Sequence, residues 1–330
     1  MSEPTERAAP TAVRLRSDRL VVDIAGPGTV YRGTRFDWTG FITQVTLDGG
    51  HTFCMPESLQ LGQGTGGIGL CNEFGIDAPV GYDAAGPGEP FPKLGIGLLV
   101  RPDEGPYNFF RAHEIAQPFP IHVEAGDSAA RYLVEPVDCW GYAARLEKTV
   151  TVGGNQLEIA YRLENVGQHP IVTNEYCHNF LGIDGQPIGP DYRLRVPYPI
   201  ALEEMPRTAR RAAPPRTRRL VPGFLLERIG ERARKRMTEV LDIQGSDIGL
   251  RARPERPFYC RLRGYARSQE PQWDLAHVPT GVGAREFDDF SPVRVAVWGT
   301  AHVISAEVFV EIAVQPGAAQ TWSRRFEFYA

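Results

Sequence analysis

The sequence lacks long apolar runs and paired cysteines. In 330 residues the longest apolar run, Leu94–Val100, is too short to cross a bilayer. The first twelve residues are polar and contain no apolar segment of a signal peptide. The five cysteines are widely spaced, with no C-x-x-C pair. We therefore expect no membrane span, no disulfide framework and no zinc site, and a soluble protein of the cytoplasm.

Familiar catalytic signatures are also missing. There is no H-E-x-x-H motif, no nucleophile elbow and no Ser/His/Asp order typical of a triad. The glycines of Gly66–Gly75 do not match a phosphate-binding loop, because Pro79 and Gly81 follow where a helix would begin. The sequence therefore predicts neither a metal nor a nucleotide cofactor.

Turn-forming residues and short β-rich segments are abundant. The 35 glycines and 28 prolines favour many short elements over long helices, which excludes a helical bundle. Asp48-Gly49-Gly50 and Gly153-Gly154-Asn155 are typical of hairpin turns. We therefore predict an all-β protein built as a large antiparallel β-sandwich. Strands are predicted at Leu20–Ile24, Phe41–Leu47, Arg145–Val152, Gln156–Leu163, Val293–Trp298 and Ala306–Val314.

The domain organisation is predicted to be simple. Residues 1–13 are rich in proline, alanine and charged residues, and this composition predicts a disordered tail. Residues 14–330 show no break strong enough to mark a domain boundary, so they are expected to form a single domain. A basic insertion interrupts it at about 206–237 and includes one amphipathic helix, Phe224–Met237.

The basic insertion is not apparent from the net charge of the whole chain, because acidic residues elsewhere offset it. The whole chain carries a net charge of −4, yet Arg207–Arg236 contains eleven basic residues and two acids. This segment could contact phosphate, nucleic acid or an anionic membrane surface. The alternative, which its prolines favour, is a solvated surface loop without a binding role. Its loop portion has no aromatic residue on which a base could stack, which argues against nucleic acid.

One strand carries polar groups suited to a sugar. Alternation along Val172–Phe180 places Asn174, Tyr176 and His178 on one face. An amide, a phenol and an imidazole can all hydrogen-bond sugar hydroxyls. The alternative is a solvated strand with a surface histidine.

Two further segments offer carboxylates. In the last strand pair Glu311 shares a face with Phe309, which could raise its pKa toward that of a general base. The alternative is a half-exposed strand with its polar side in water. The glycine-rich segment Gly66–Gly75 could place Asn72 and Glu73 at a cleft, or it could be a plain loop.

Taken in order, these segments resemble the aldose 1-epimerase (galactose mutarotase-like) superfamily, including its hexose-6-phosphate epimerase branch. Cys177-His178-Asn179-Phe180 is similar to the family's H-x-Y-F strand. The other matching segments are Gly66–Cys71 with Phe91–Gly95, for the glycine-rich and P-K-H-G elements, and Val297-Trp298 with Phe309–Glu311, for the W-N-P and C-V-E strands.

The resemblance implies a β-supersandwich that holds a sugar and needs no cofactor. His178 would act as the acid on the ring oxygen and Glu311 as the base on the anomeric hydroxyl. Leu94 stands where the family has a second, substrate-binding histidine. The remaining substrate-binding residues would be Asn72, Glu73, Asn174, Tyr176, Asp274 and Trp298.

Two functions follow from this comparison. One is an isomerase resembling aldose 1-epimerase, which opens and recloses a sugar or sugar derivative. The alternative is a carbohydrate-binding protein of the same fold without activity, which the leucine at position 94 favours. In both cases the partner is a small carbohydrate, and the basic segment Arg207–Arg236 adds a possible anion contact.

Overall fold

The computed structural model describes residues 12–203 and 239–330. The basic segment Arg207–Arg236 and the predicted helix Phe224–Met237 lie outside these residues, as do residues 1–11. The first strand begins at Ala12, so the last two residues of the predicted 1–13 tail belong to a strand.

The described residues form 23 strands and one short 3-10 turn, Ile183–Gly185. The strands are β1 Ala12–Arg16, β2 Leu20–Ala25, β3 Phe41–Leu47, β4 His51–Thr52, β5 Leu70–Phe74, β6 Pro90–Lys93, β7 Gly97–Val100, β8 Ile115–Pro118, β9 Ile121–Ala125, β10 Ala129–Val134, β11 Ala144–Gly153, β12 Gln156–Asn165, β13 Ile171–Asn179, β14 Tyr192–Arg195, β15 Ala201–Leu202, β16 Leu241–Gln244, β17 Asp247–Leu250, β18 Phe258–Arg263, β19 Trp273–His277, β20 Val282–Asp288, β21 Arg294–Gly299, β22 Ile304–Val314 and β23 Ala319–Tyr329.

These strands make two large antiparallel sheets and one small sheet. The front sheet has ten strands in the order β1-β2-β3-β5-β13-β22-β21-β18-β15, with β4 paired to β3. The back sheet has ten strands in the order β16-β17-β14-β19-β20-β23-β12-β11-β10-β9. The cover sheet contains β6, β7 and β8. The prediction of an all-β antiparallel sandwich is confirmed for the described part of the chain.

Strand alternation explains how the two large sheets pack. Along β22 the side chains of Val308, Val310 and Ile312 are buried and turn toward the back sheet, as the period of two predicts. The hairpin of β11 and β12 shows the same alternation, and its register runs from Ala144 opposite Asn165 to Gly153 opposite Gln156. The apolar core therefore lies between the front and back sheets.

A row of buried polar residues crosses this core. Lys148 on β11 donates from Nζ to Asn72 Oδ1 at 2.9 Å, and Asn72 Nδ2 donates to Glu175 Oε1 at 2.7 Å. Glu175 in turn pairs with Arg324, whose Nη1 donates to Glu286 Oε1 at 3.0 Å. We call Asp37, Lys148, Asn72, Glu175, Arg324 and Glu286 the interior polar row.

The interior polar row joins the two large sheets. Asn72 and Glu175 belong to the front sheet, whereas Lys148, Arg324 and Glu286 belong to the back sheet. Every member is at most 1% exposed. Buried charges are tolerated only when they are paired and hydrogen-bonded, so the row fixes how the two sheets are set against each other.

The helical content of the described residues is small, and none of it could form a membrane-spanning helix.

Candidate functional site

The candidate site lies on the face of the front sheet that points away from the back sheet. The register places Tyr176 of β13 opposite Glu73 of β5 on one side and opposite Phe309 of β22 on the other. Residues directly opposite each other in an antiparallel sheet project to the same face. Glu73, Tyr176 and Phe309 therefore form a row across three strands, and the rings of Tyr176 and Phe309 stack 4.2 Å apart.

His178 and Glu307 form a buried pair on this face. The Nε2 atom of His178 lies 3.2 Å from Oε1 of Glu307, and both side chains are about 5% exposed or less. The His178 ring stacks on Phe180 with centroids 3.9 Å apart and meets the edge of Trp298 at 5.2 Å. A third aromatic ring, Phe36, lies edge-on at 6.1 Å. The pair is thus held in an aromatic and largely dry environment.

Burial shifts both members of the pair toward their uncharged forms. Burial lowers the pKa of His178 well below its ordinary value, and the charge of Arg35 lowers it further. Burial raises the pKa of Glu307 to about 8, against the opposing effect of Arg35. Near neutral pH the Glu307 carboxyl is therefore protonated, His178 is a neutral imidazole, and the pair carries no net charge. Among the described residues the other ring nitrogen of His178, Nδ1, has no hydrogen-bond partner.

A second cluster, centred on Glu73, adjoins this pair. Arg35 donates from Nε to Glu73 Oε2 at 2.8 Å and from Nη2 to the Tyr176 hydroxyl at 2.9 Å. The Tyr176 hydroxyl itself donates to Glu73 Oε2 at 2.6 Å. The guanidinium of Arg35 lies between the rings of Phe36 and Phe109, at 4.6 and 4.5 Å from their centroids. Arg35 therefore holds the Glu73 carboxyl group and the Tyr176 hydroxyl in fixed positions.

A buried lysine completes the cluster. Lys93, the last residue of β6, donates from Nζ to the Phe74 carbonyl at 2.6 Å and lies 3.7 Å from Glu73 Oε1. Burial lowers the pKa of Lys93 to about 8, and the charge of Glu73 opposes that shift. The ammonium also faces the ring of Tyr107, 5.0 Å from its centroid. The cover sheet thus contributes a polar group to the front-sheet face.

The structure does not bring His178 and Glu311 together. Glu311 lies opposite Asn174, and its side chain is exposed. Glu311 lies four positions along the strand from Glu307. At roughly 3.3 Å per residue the two positions are about 13 Å apart. Both glutamates project to the same face of β22 because their spacing is even, so alternation alone could not distinguish them. Register places Glu307, not Glu311, beside His178.

The other predicted substrate-binding residues are divided between several places. Tyr176, Glu73 and Trp298 lie at the site, as described above. Asn174 is half-buried at the exposed end of the row, where its Nδ2 lies 3.4 Å from Asp77 Oδ2. Asn72 points the opposite way from Glu73, into the interior polar row, because neighbouring residues of a strand project to opposite faces.

Two predicted positions fall outside the site. Asp274 belongs to β19 of the back sheet, where it contacts Arg285 and accepts a hydrogen bond from the Tyr329 hydroxyl. Leu94 is 6% exposed and packs in the main apolar core. Its neighbour Lys93, rather than the residue at position 94, reaches the site. The described residues contain no group of three or more metal-ligating side chains placed to hold a metal ion.

Several site residues were missed by the sequence interpretation. Glu307 was visible on the same strand face as Glu311, but its position opposite His178 depends on register across β13 and β22. Arg35 lies in a loop and shows no periodic pattern. Lys93 belongs to the segment Phe91–Gly95, in which the motif comparison concerns the next residue, Leu94. The sequence therefore holds no signal that selects Glu307 over Glu311.

The geometry defines a large antiparallel β-sandwich, and comparison with known proteins agrees with that fold. No protein-family model matches the chain, and no curated protein matches it. Solved structures do match over nearly the whole chain. A galactose mutarotase-like protein from Lactobacillus casei ATCC 334 is 12% identical with a TM-score of 0.55, covering 96% of this chain and 100% of that one.

Two other solved structures give the same result. The galactose mutarotase related enzyme from Lactobacillus acidophilus is 10% identical, covers 97% of both chains and has a TM-score of 0.55. The aldose epimerase homologue from C. elegans is 10% identical, covers 98% of this chain and 99% of that chain, and has a TM-score of 0.54. The chain therefore has the galactose mutarotase-like fold, as the sequence motifs predicted. Identities this low concern the fold and not the reaction.

Proposed function

We propose that the protein is an epimerase-like enzyme that opens and recloses the ring of a sugar or sugar derivative. The observation that carries this proposal is the buried pair of His178 and Glu307, with Nε2 and Oε1 3.2 Å apart. Ring opening needs an acid for the ring oxygen and a base for the anomeric hydroxyl, and the two must exchange roles when the ring closes. A protonated carboxyl beside a neutral imidazole meets that requirement, because one group can give a proton while the other takes one.

The pKa directions suggest how the proton is distributed in this proposal. Glu307, with its pKa raised to about 8, holds the proton near neutral pH and gives it to the ring oxygen. His178, neutral because its pKa is low, takes the proton of the anomeric hydroxyl. These roles reverse those that the family resemblance implies for the histidine and its glutamate partner. Rotation about the first carbon–carbon bond and reclosure then give the other anomer.

Neighbouring residues would hold the sugar in this mechanism. Oε1 of Glu73, which has no hydrogen-bond partner among the described residues, would accept from a sugar hydroxyl, and Arg35 and Tyr176 hold the other oxygen of Glu73 in place. The half-buried indole of Trp298 offers an apolar surface to the C–H face of a sugar ring.

The test is direct measurement of anomer interconversion. Freshly dissolved single anomers of glucose, galactose, mannose and their sugar acids are followed by proton NMR with and without the protein. Acceleration of one or more of them over the spontaneous rate is the expected result. If the sugars of the panel bind but none is accelerated, the epimerase proposal fails.

The second candidate is a carbohydrate-binding protein without activity. Burial of both members of the pair and the packing of Leu94 in the core, away from the site, favour this alternative. It predicts saturable sugar binding in the same NMR experiment with anomer exchange at the spontaneous rate.

A cytoplasmic location remains part of the proposal. The five cysteines are all unpaired thiols buried in the structure, which supports a reducing compartment. Fractionation of the native host, with the protein detected by antibody, tests the location.

A further inference from the structure

The site around His178 and Glu307 is closed in this structure. His178 is 3% exposed and Glu307 is 4% exposed, and the adjoining Glu73 is completely buried. Acid–base chemistry on a sugar needs direct contact between the sugar and both members of the pair. Under the proposed function, part of the protein must therefore move before a sugar reaches them.

The connection between β7 and β8 is the segment suited to that movement. Residues 101–114 contain no strand and no helix. Connections of more than about 12 residues without secondary structure are uncommon in compact domains and usually have a function, for example as a lid. We call residues 102–112 the lid loop. Every residue of the lid loop is at least partly exposed.

The lid loop is fixed at its two ends and weakly held between them. At one end Arg101 donates from Nη1 to the Tyr82 carbonyl at 3.1 Å. At the other end the His113 amide donates to Thr34 Oγ1 at 3.1 Å. Beyond these end residues, a single hydrogen bond joins the lid loop to the rest of the described chain, from the Tyr82 hydroxyl to the Gly105 carbonyl. Segments with so few hydrogen bonds open at a lower free energy than the whole fold.

Two aromatic rings of the lid loop cover the cations beside the pair. The centroid of the Tyr107 ring lies 5.0 Å from Lys93 Nζ. The centroid of the Phe109 ring lies 4.5 Å from Cζ of Arg35. Both cations are buried, at 1% and 6% exposed. Lifting the lid loop would therefore uncover them.

Arg35 connects the lid loop to the pair. Its guanidinium also lies 4.6 Å from the centroid of Phe36, and the Phe36 ring meets the His178 ring edge-on at 6.1 Å. Its Nε donates to Glu73 at 2.8 Å. Lifting Phe109 from Arg35 would therefore loosen groups that pack directly against the site.

The closed lid loop leaves polar atoms without partners. The Tyr107 hydroxyl, within the loop, and Glu73 Oε1, next to Lys93, are buried and have no hydrogen-bond partner among the described residues. An unmade hydrogen bond at a buried atom disfavours the arrangement that buries it. Opening would admit water or a sugar hydroxyl to these atoms, which offsets the loss of the aromatic contacts.

We propose that the lid loop opens about Arg101 and His113 to admit the sugar, and that the contact of Phe109 with Arg35 holds it closed. The role as a lid rests on the proposed function, whereas the opening motion itself does not.

Chemical labelling of the full chain measures the opening without an assay of catalysis. A pulse of diethyl pyrocarbonate modifies histidine imidazoles and lysine amines that it can reach, and mass spectrometry gives the rate at each residue. Lys93 and His178 report on the site. Lys148 is the internal control, because it is as buried as Lys93, at 1% exposed, but belongs to the interior polar row between the large sheets.

Two matched variants test the contact that holds the loop closed. Phe109→Ala removes the ring over Arg35. Phe110→Ala makes the same substitution at the next residue, whose side chain is 70% exposed. Circular dichroism checks that both variants fold.

In the native protein we expect Lys93 to be labelled at least about tenfold faster than Lys148, because local opening is more frequent than global unfolding. Phe109→Ala should raise the labelling rates of Lys93 and His178 severalfold, and Phe110→Ala should leave both unchanged. If Phe109→Ala does not fold, the ratio of Lys93 to Lys148 labelling in the native protein decides.

Three results would each overturn the lid proposal: equal labelling of Lys93 and Lys148, equal effects of the two phenylalanine variants, or labelling of Lys93 with none of His178. The labelling involves no sugar. Failure of the lid proposal and failure of the epimerase proposal are therefore distinguished by separate experiments.

Discussion

His178 and Glu307 meet across β13 and β22, with Nε2 of the histidine 3.2 Å from Oε1 of the glutamate. Both side chains are buried, and burial favours the uncharged form of each. A pair with one shared proton in an aromatic environment is suited to reversible proton transfer at neutral pH.

Replacing Glu307 by glutamine should abolish most of any epimerase activity. We expect Glu307→Gln to lower kcat about 10²-fold or more, because the amide can neither give nor take the proton. Glu311→Gln is the matched control, with the same substitution on the same strand face at an exposed position, and it should retain full activity. Anomer exchange measured by NMR checks both variants. Equal losses in the two variants would show that Glu307 has no special role.

The raised pKa of Glu307 should make stability depend on pH. Burial raises this pKa from about 4.5 to about 8, so between these values the native state holds a proton that the unfolded chain releases. The stability contributed by this proton is complete below pH 4.5 and is lost as the pH rises toward 8. The slope is at most about 1.4 kcal/mol per pH unit.

Glu307→Gln isolates this effect, since glutamine mimics the protonated acid and does not titrate. Urea unfolding of both proteins at several pH values from 5 to 8 provides the measurement. We expect the stability of the native protein relative to the variant to fall steadily across this window. A constant difference would mean that Glu307 has the same pKa in the folded and unfolded states.

Removing the cation beside Glu73 should destabilise the fold strongly. Arg35→Met removes the nearer of the two cations beside the buried Glu73 carboxylate and leaves Lys93 at 3.7 Å, at a cost of about 3–5 kcal/mol. Arg19→Met is the control, because Arg19 forms a two-point ion pair with Asp48 at the solvent-exposed surface, so its loss should change stability little. Chemical unfolding compares the two variants. If they lose equal stability, the buried ion pair does not hold this face together.

Gly95 should be far less tolerant of a side chain than another glycine with positive φ. Gly95 has φ +77°, and an added Cβ would lie 2.2 Å from Asp37 Oδ1. Gly88 has φ +84° with nothing within 4 Å of the same position. We expect Gly88→Ala to cost about 1–2 kcal/mol from backbone strain alone. Gly95→Ala adds a clash with the buried Asp37 carboxylate and should cost at least about 3 kcal/mol.

The measurement is again chemical unfolding, with spectroscopic confirmation that each variant folds. Similar costs at the two glycines would show that Asp37 moves aside freely. That outcome would contradict its position beside Lys148 and the Tyr161 hydroxyl.

Much of the fold could be predicted because strand patterns are local. The strand predicted at Phe41–Leu47 and the hairpin turn predicted after Val152 depend on neighbouring residues only, and both match the structure. The face shared by Asn174, Tyr176 and His178 follows from the same period of two.

The composition of the site could not be predicted in the same way. Which glutamate of β22 meets His178 depends on the register between strands far apart in the chain, and alternation does not contain that information. Arg35 and Lys93 reach Glu73 from a loop and from the cover sheet, so their contacts are products of tertiary packing. Asp274 fell outside the site because β19 belongs to the other large sheet.

The interior polar row also constrains how this sequence can diverge. Lys148 and Arg324 reach from the back sheet to Asn72 and Glu175 of the front sheet, so each side chain completes the hydrogen bonding of another. A single apolar replacement would leave its neighbour unsatisfied, whereas replacement of all members together would not. Viable homologues should therefore retain or exchange the row as a block, while flanking apolar positions such as Val308 and Val310 change one at a time.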